Sequence, residues 1–472
     1  MLKYVIMQKN KTIKLFVKKM KKRISIKLST TQVVMLSFLL VILFGSILLA
    51  LPISTKSGKA VAYLDALFTA TSATCVTGLV TLPTITTWSI FGQIVILLLI
   101  QLGGLGIITV TAGLAVMLHR KIGLKDSRLI SDAFNLTTFS GLTVFIKKVI
   151  IGTIIVELIG AALYMTVFIP DLGVKGIWVS IFNSVSAFCN AGLDIIAENS
   201  LCNYVLNPII NAVTSILIIL GGIGFIVWWD IIRVVKSIKT QKLKCFKKLT
   251  LHSKIVLSTT FLLIVGGAIA IFIFEYNNPL TIKNFSFFEK LQVAFFQSIT
   301  TRTAGFATIP QENLTNASAI VSSLLMFIGG SPVGTAGGIK TATIAVLCAT
   351  AISAIRNKNE VTLFGRNLSR QITRKAVAVT SMSFIIMFLS TILLATVTDA
   401  AALDIIYETI SATATVGLSR NLTPCLDVFG KVIIIFTMYF GRVGPISLAV
   451  AFKSKKEKGN VIKNPTEDIS VG

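Results

Sequence analysis

The chain has 472 residues, 54% of them hydrophobic, and its mean hydropathy is +0.84, which excludes a soluble domain of ordinary composition. Apolar runs of about 20 residues recur along it, the length that a helix needs to cross a hydrocarbon layer of about 30 Å. A net charge of +26 would suggest nucleic-acid binding in a soluble protein, but here the charge positions indicate membrane topology. The sequence therefore predicts an all-α integral membrane protein, embedded in the lipid bilayer, that does not bind nucleic acid.

The basic residues are concentrated in alternate connections between the apolar runs. Of 45 Lys and Arg residues, 35 lie in five segments: 10 in residues 1–27, 6 in 119–148, 8 in 232–254, 6 in 355–376 and 5 in 453–463. The positive-inside rule then predicts that both termini and the three basic loops are cytoplasmic. Docking of a cytoplasmic partner or of anionic lipid is a further use that these charges allow.

Other residue patterns exclude several kinds of site. The six cysteines form no C-x-x-C pair, and the two histidines, His119 and His252, sit at the ends of spans, so no metal-ligand cluster is predicted. The stretches "GGLGIIT" and "GGIGFIV" superficially match a dinucleotide loop, but each is expected inside an apolar helix with no strand before it. We therefore expect no enzyme active site.

In chain order, the predicted units are a tail, four repeats and a second tail. The first apolar run, about 32–52, is longer than a signal-peptide core and is kept as a span. Each repeat has a first apolar run, a short polar segment ending at a glycine, and a second apolar run. The predicted boundaries are 1–30 for the basic N-terminal tail, 31–118, 119–236, 237–356 and 357–452 for the repeats, and 453–472 for the C-terminal tail.

The repeats are recognised from four glycines at a near-constant spacing. Gly78, Gly192, Gly305 and Gly417 are 114, 113 and 112 residues apart. An aromatic residue stands ten positions before each glycine, and small or hydroxyl residues lie between them. The segments read "FTATSATCVTG", "FNSVSAFCNAG", "FFQSITTRTAG" and "YETISATATVG".

The short segments are predicted to enter the membrane and return on the same side. About ten residues cannot span a bilayer, and an even number of spans per repeat gives all four repeats one orientation. Backbone at membrane depth must be hydrogen-bonded or line a wet cavity. Four re-entrant pore helices, each followed by a strip ending at glycine, can turn carbonyl oxygens toward one axis. The predicted fold has eight spans around one central pore; ordinary turns or helix-packing glycines are the alternative.

The second run of repeat 3 is interrupted by "GGSPVGTAGGIKT", residues 329–341. Glycine and proline disfavour a helix interior, so helix 317–328 is expected to end at mid-membrane. We predict that this segment is a gate, with Arg442 of the last span binding its carbonyl groups. A static kink, and a purely bracing role for Arg442, are the alternatives. The predicted gate residues are Gly329, Gly330, Ser331, Pro332, Gly334, Gly337, Gly338, Lys340 and Arg442.

From residue 30 onward the chain resembles the Trk/Ktr/HKT superfamily of cation transporters, and within it the membrane subunit (KtrB) of bacterial Ktr potassium uptake systems. The resemblance implies that backbone carbonyls of the four strips bind potassium, and glycine rather than serine at position 78 points to potassium over sodium. It also implies an intramembrane gating loop at 329–341. The implied filter residues are Cys75, Val76, Thr77, Gly78, Cys189, Asn190, Ala191, Gly192, Arg302, Thr303, Ala304, Gly305, Ala414, Thr415, Val416 and Gly417.

The same resemblance implies a homodimer in a bacterial plasma membrane and a separate cytoplasmic KtrA-like ring that binds nucleotide. Potassium in the pore is then the bound ion, with no covalently bound cofactor, and sodium dependence is left open. Two other classes are a potassium-translocating subunit of an ATP-driven pump and a secondary cation transporter. The latter usually needs membrane carboxylates, and the spans offer mainly Glu157 and Asp230.

Overall fold

A computed structural model describes residues 29–117, 142–236, 247–358 and 360–444. Nearly all of the predicted N-terminal tail, the whole C-terminal tail, and residues 119–141 of the basic loop 119–148 lie outside these residues. The described residues are predominantly helical, as predicted. The connections between repeats carry the basic residues, and we call the end of the bundle where they lie the basic side.

The first helix of each repeat is long and uninterrupted. These four helices have 20, 31, 25 and 26 residues, and each is long and apolar enough to cross a membrane. Their outer faces expose large apolar side chains such as Phe44 and Leu158, as expected of a lipid-facing surface. They are α1 (Thr30–Leu49), α6 (Leu142–Leu172), α10 (Leu251–Glu275) and α14 (Arg370–Ala395).

The short polar segments form four helices of 13 to 15 residues, somewhat longer than the predicted ten but too short to span. Each packs against the first helix of its own repeat, and most of its side chains are buried. They are α2 (Tyr63–Cys75), α7 (Lys175–Cys189), α11 (Phe287–Thr300) and α15 (Ala402–Ala414). We call them the pore helices.

The second helices are interrupted in repeats 1 and 2 as well as in repeat 3, and this corrects the sequence analysis, which singled out repeat 3. Within "GGLGIIT" and "GGIGFIV" the helices end and restart at Gly106 and Gly224, which have φ of 82° and 87°. A positive φ cannot continue a right-handed helix, and glycine adopts it without strain. The last helix ends at Gly444, with φ of 90°.

The two halves of each second run are as follows. Repeat 1 has α4 (Ile90–Leu105) and α5 (Ile107–Met117). Repeat 2 has α8 (Pro208–Gly222) and α9 (Phe225–Val235), which are bent by 100° from one another. Repeat 3 has α12 (Asn316–Phe327) and α13 (Thr341–Ile355), and repeat 4 has α16 (Val428–Val443). The eight predicted spans are thus four continuous helices and four runs that are interrupted or end at such a glycine.

The small remaining elements lie in connections. They are the single turn α3 (Thr84–Thr87), an antiparallel hairpin of β1 (Thr362–Leu363) and β2 (Arg366–Asn367) before α14, and short 3-10 turns. The 3-10 turns within the described residues are Pro52–Ser54, Cys202–Tyr204, Gln311–Asn313 and Thr423–Cys425.

The core lies around the pore helices. Of the predicted run-up aromatics, Phe68, Phe182 and Tyr407 are fully buried. In repeat 3 the fully buried ring is Phe296 rather than Phe295, one residue later than the alignment of the four segments suggests. The buried face of pore helix α11 is therefore shifted by one residue relative to its glycine, compared with the other three pore helices.

Repeats 1 and 4 meet directly, so that the four units close into a ring. Lys431, near the start of α16, forms an ion pair with Asp65 in the first turn of pore helix α2 at 2.6 Å. Both side chains are mostly buried. The first and last repeats are thereby held together although they are separated by the whole chain.

Candidate ion pathway

The four predicted glycines lie together in a closed ring. All four have positive φ, between 66° and 98°. A Cβ atom added to Gly78 would lie 2.5 Å from the carbonyl oxygen of Ala191, and one on Gly192 would lie 2.7 Å from that of Ala304. The same relation joins every glycine to the residue preceding the next glycine: Ala191 for Gly78, Ala304 for Gly192, Val416 for Gly305 and Thr77 for Gly417. No side chain fits in this ring.

The strips before the glycines share one backbone conformation. The residue two positions before each glycine is left-handed, with φ between 53° and 65°: Val76, Asn190, Thr303 and Thr415. This turn folds the strip back along its pore helix. In repeats 1 and 4 a serine of the pore helix accepts the glycine N–H, as Ser72 does from Gly78 at 3.1 Å and Ser411 from Gly417 at 3.0 Å. The strip is anchored through its N–H groups, which leaves carbonyl oxygens for the axis.

In repeats 2 and 3 the hydroxyl of the pore helix donates a hydrogen bond to the strip instead of accepting one. Ser186 donates to the carbonyl of Leu193 at 2.5 Å, and Thr300 donates to that of Phe306 at 2.6 Å. In all four repeats a hydroxyl of the pore helix thus fixes the residue at, or just after, the glycine. The C-terminal ends of the pore helices lie beside the ring, where their dipoles favour a cation.

Repeat 3 departs from the common plan at Arg302. Its pore helix ends at Thr300, five residues before the glycine, whereas the other three end three residues before it. Arg302 is only 7% exposed, and its guanidinium lies against the carbonyl oxygens of Thr260 and Gly329, each at 3.4 Å. The structure therefore places this predicted filter residue between the strip and the first glycine of the predicted gate.

The predicted gate segment is a non-helical loop, residues 328–340, between α12 and α13. We call it the gate loop. It is tied to the break between α8 and α9: Ser331 N–H donates to Gly222 at 2.8 Å, Thr335 N–H donates to Gly221 at 3.1 Å, and Phe225 N–H donates to Val333 at 3.0 Å. These bonds satisfy loop backbone groups that would otherwise be costly at membrane depth.

The gate loop also contacts the filter strips. Thr335 donates its hydroxyl to the carbonyl of Phe188 at the end of pore helix α7, at 3.0 Å, and lies 3.3 Å from the side-chain amide of Asn190. On the opposite side, Gly337 packs so closely on Thr415 that an added Cβ would overlap its hydroxyl. The loop thus meets the strips of repeats 2 and 4 directly.

Two partly buried cations hold the loop. Arg442 Nη1 donates to the carbonyl of Thr335 at 2.6 Å, and Nη2 donates to the carbonyls of Gly104, at 3.3 Å, and Gly103. The guanidinium therefore joins repeat 4, the gate loop and the end of α4. Lys340 donates to carbonyls of the loop itself, to Ala336 at 2.6 Å and Gly337 at 3.3 Å.

A cavity of about 710 Å³ lies on the basic side of the gate loop. Arg442 and Lys340 line it, together with the helix-break residues 103–106 and the rings of Phe38 and Phe440. It reaches Thr31 and Lys375 near the ends of α1 and α14 on the basic side. The glycine ring, the gate loop and this cavity follow one another along a single path.

Sequence reasoning missed several contributors to this path. The glycines at helix breaks could have been found from a recurring pattern. The stretches "GGLG", "GGIG" and "GRVG" begin 25, 29 and 24 residues after the filter glycines of repeats 1, 2 and 4, respectively. Thr335, which Arg442 binds, gave no signal of its own. The sequence analysis gives Glu157 only as one of the few carboxylates in the spans. It is buried beside Cys189, and the side-chain amide of Gln101 donates to it at 3.3 Å.

Comparison with known proteins decides the family. The sequence model of TrkH, described as a cation transport protein, matches residues 1–464. The chain belongs to the TrkH family. The resemblance inferred from the four glycine segments is thereby confirmed, and so is the expectation of a multi-pass transport protein rather than an enzyme.

Members of the TrkH family with high coverage include two uptake proteins. Ktr system potassium uptake protein B of Bacillus subtilis is 39% identical over 95% of this chain and 98% of its own. Potassium/sodium uptake protein NtpJ of Enterococcus hirae is 38% identical, over 96% and 99%. The crystal structure of the potassium transporter TrkH from Vibrio parahaemolyticus matches with a TM-score of 0.68 at 16% identity, over 89% and 85% of the chains, and shows the shared fold.

Proposed function

We propose that this protein is a potassium uptake transporter in which the glycine ring is the ion filter and the gate loop controls passage. The observation that carries this proposal is the closure of the ring, in which each filter glycine packs on a carbonyl oxygen of the next repeat. The four strips have anchored backbones, and in this proposal their carbonyl oxygens all point toward the central axis. They form rings of oxygens that replace the water shell of a monovalent cation. The names of two relatives support potassium as the ion.

In this proposal the gate loop blocks the path between the ring and the cavity. Arg442 holds the loop by Thr335 and also places a fixed positive charge in the route of a cation. A charge at this depth raises the barrier to another cation, because the surroundings screen it poorly. Opening requires the loop to move away from Arg442 and from the break between α8 and α9.

Sodium is the second ion to consider, because one relative is named for potassium and sodium uptake. The glycine at position 78 supports a preference for potassium. The name of that relative is compatible with sodium as a co-transported ion or as an ion that stimulates potassium uptake. Flux of rubidium, as a tracer for potassium, with and without sodium on the same side separates these possibilities.

We further propose that the protein acts with a cytoplasmic nucleotide-binding ring and as a homodimer. The support is the name of the Ktr system relative, which designates one component, B, of a system. We expect the ring to dock on the basic loops 232–254 and 119–148, through Lys242, Lys244, Lys247 and Lys248. Of the lysines suggested for it, Lys247 and Lys248 are exposed, whereas Lys242 and Lys244 lie outside the described residues.

The experiment that tests the function is potassium and sodium uptake by purified protein in liposomes without ATP. Potassium-driven flux in these conditions supports a passive pore and contradicts a pump subunit, which would need its ATPase. Uptake that requires a proton gradient instead would support the secondary-transporter reading.

A further inference from the structure

Helix α9 turns away from the path of the second run of repeat 2. It is bent by 100° from α8, so it runs roughly along the membrane surface when α8 crosses the membrane. Its outer face alternates apolar and basic residues: Ile232 and Val235 are 40% and 44% exposed, and Arg233 and Lys236 are also exposed. An apolar and basic helix in this orientation is typical of one that lies in the interfacial region of a bilayer.

Basic side chains from three elements meet around α9. Lys148, near the start of α6, lies with its ammonium 5.3 Å from the ring centroid of Trp229. Arg233 donates to the carbonyl of Lys248 at 3.4 Å, and Lys254 donates to that of Lys247 at 2.9 Å. We call this surface the α9 shelf; its basic residues are Lys147, Lys148, Arg233 and Lys236. They lie beside Lys247 and Lys248, which the proposed function assigns to ring docking.

The positive charge of the α9 shelf is not balanced within the described residues. The acid there, Asp230, is buried and already used: it accepts from Arg233 at 2.5 Å and from the backbone and hydroxyl of Thr250, each at 2.9 Å. That contact holds Thr250, whose own hydroxyl caps α10 by accepting the N–H of Ser253 at 3.2 Å. Lys147 and Lys236 are exposed, and Lys148 lies over the ring of Trp229, a residue type enriched at membrane interfaces.

The other end of α9 holds the gate loop. Its first residue, Phe225, donates its N–H to Val333 of the loop at 3.0 Å. One turn further on, the ring of Trp228 packs edge-on against Phe188, at 5.7 Å between centroids, and the carbonyl of Phe188 accepts the hydroxyl of Thr335. A force on α9 therefore reaches the gate loop through two contacts.

We propose that the α9 shelf binds the headgroup of an anionic phospholipid, and that the bound headgroup holds α9 and the gate loop in the arrangement described. The phosphate oxygens face the ammonium and guanidinium groups, and the acyl chains lie beside Ile232 and Val235. The alternation of exposed apolar and basic residues favours lipid over an acidic protein surface, which would not need the apolar positions. The binding step is independent of the proposed function, whereas its effect on the gate rests on it.

Binding is tested by tryptophan quenching in phosphatidylcholine liposomes that contain increasing fractions of brominated phosphatidylglycerol. The chain has four tryptophans, two of which, Trp228 and Trp229, lie on α9. Saturable quenching at low fractions is expected for the wild type. Each removed charge weakens binding about fivefold, because a basic residue near an anionic surface contributes about 1 kcal/mol. The triple variant Lys148→Gln, Arg233→Gln, Lys236→Gln is therefore expected to bind at least tenfold more weakly.

The matched control removes three exposed basic residues from the connection between repeats 3 and 4: Arg356→Gln, Lys358→Gln and Arg366→Gln. This control is expected to stay within twofold of the wild type. Equal binding by the shelf variant and the wild type overturns the lipid site. So does equal loss in the control, or displacement of the lipid by millimolar inorganic phosphate. Loss of binding to an acidic cytosolic ring, with lipid quenching unchanged, assigns the shelf to protein instead and overturns the proposal too.

Transmission to the gate is tested with two variants of one residue. Phe225→Ala keeps the N–H that binds Val333, whereas Phe225→Pro removes it at the first position of a helix, where proline is tolerated. Phosphatidylglycerol is expected to lower flux in the wild type and in Phe225→Ala, and to have at most half that effect in Phe225→Pro. If lipid lowers flux equally in both variants, this link to the gate is wrong. If no preparation conducts ions, the proposed function is wrong. The quenching experiment then still decides whether the α9 shelf binds lipid.

Discussion

Arg442 Nη1 lies 2.6 Å from the carbonyl oxygen of Thr335, and this bond connects the last helix of the chain to the middle of the gate loop. The same guanidinium also binds the C-terminal end of α4 through the carbonyls of Gly103 and Gly104. One side chain therefore fixes the loop relative to two repeats. In the proposed mechanism, opening of the path requires this bond to break.

Replacement of Arg442 with alanine should increase cation flux while ion preference is retained. The loop loses its tie at Thr335, and the path loses a positive charge. Arg442→Lys keeps the charge but not the two-pronged geometry, so it should give an intermediate rise. Rubidium uptake into liposomes measures flux, and competition by sodium measures preference. Wild-type flux in folded Arg442→Ala protein would leave the arginine as a brace of the bundle only.

Deletion of residues 330–339 should likewise raise flux without loss of preference, since the carbonyl strips remain. The deletion also removes Lys340 from its present position, so the comparison is best made with a variant in which the loop is replaced by ten residues of glycine and serine. That replacement preserves the length but not the contacts with Thr415 and Phe188. If flux is unchanged in both variants, the loop is a kink and the gate lies elsewhere.

Gly337→Ala tests the contact between the gate loop and the strip of repeat 4. The added Cβ would overlap the hydroxyl of Thr415 and lie 2.8 Å from the carbonyl of Ala414. Overlap of this kind costs about 1–3 kcal/mol, so the loop should be displaced and flux raised. Gly222→Ala is the control, because its nearest neighbour would be 3.5 Å away. Equal behaviour of the two variants would contradict this contact.

The ion pair between Asp65 and Lys431 should stabilise the closure of the ring of repeats. Lys431→Met and Asp65→Asn should each lower the thermal unfolding midpoint, and the double variant should lose less than the sum of the two. A coupling free energy of about 1 kcal/mol is expected for a pair that is mostly buried but not fully enclosed. Strict additivity in this cycle would show that the repeats close without help from the pair.

The sequence predicted the four pore segments well because their pattern is local and repeated: an aromatic, small hydroxyl residues and a glycine. It also predicted the loop of repeat 3, since five glycines and a proline cannot form a helix. It did not predict the breaks at Gly106 and Gly224, because glycines in an otherwise apolar run are compatible with a continuous helix, and the recurrence of the pattern in three repeats was not used. The position of Arg302 depends on where pore helix α11 ends, and the local sequence does not show that it ends two residues earlier, relative to its glycine, than the other three pore helices do.

The central claim, that the glycine ring selects the ion, is tested most directly by potassium and sodium competition in liposomes containing Gly78→Ser. A side chain at this position would lie 2.5 Å from the carbonyl oxygen of Ala191 and would require a strained φ of 97°. Gly266→Ser serves as the control, because nothing lies within 4 Å of its added Cβ. The account predicts that Gly78→Ser loses potassium preference by about tenfold, equivalent to about 1.4 kcal/mol, whereas Gly266→Ser retains it. Wild-type preference in correctly folded Gly78→Ser protein would contradict the assignment of the ring as the filter.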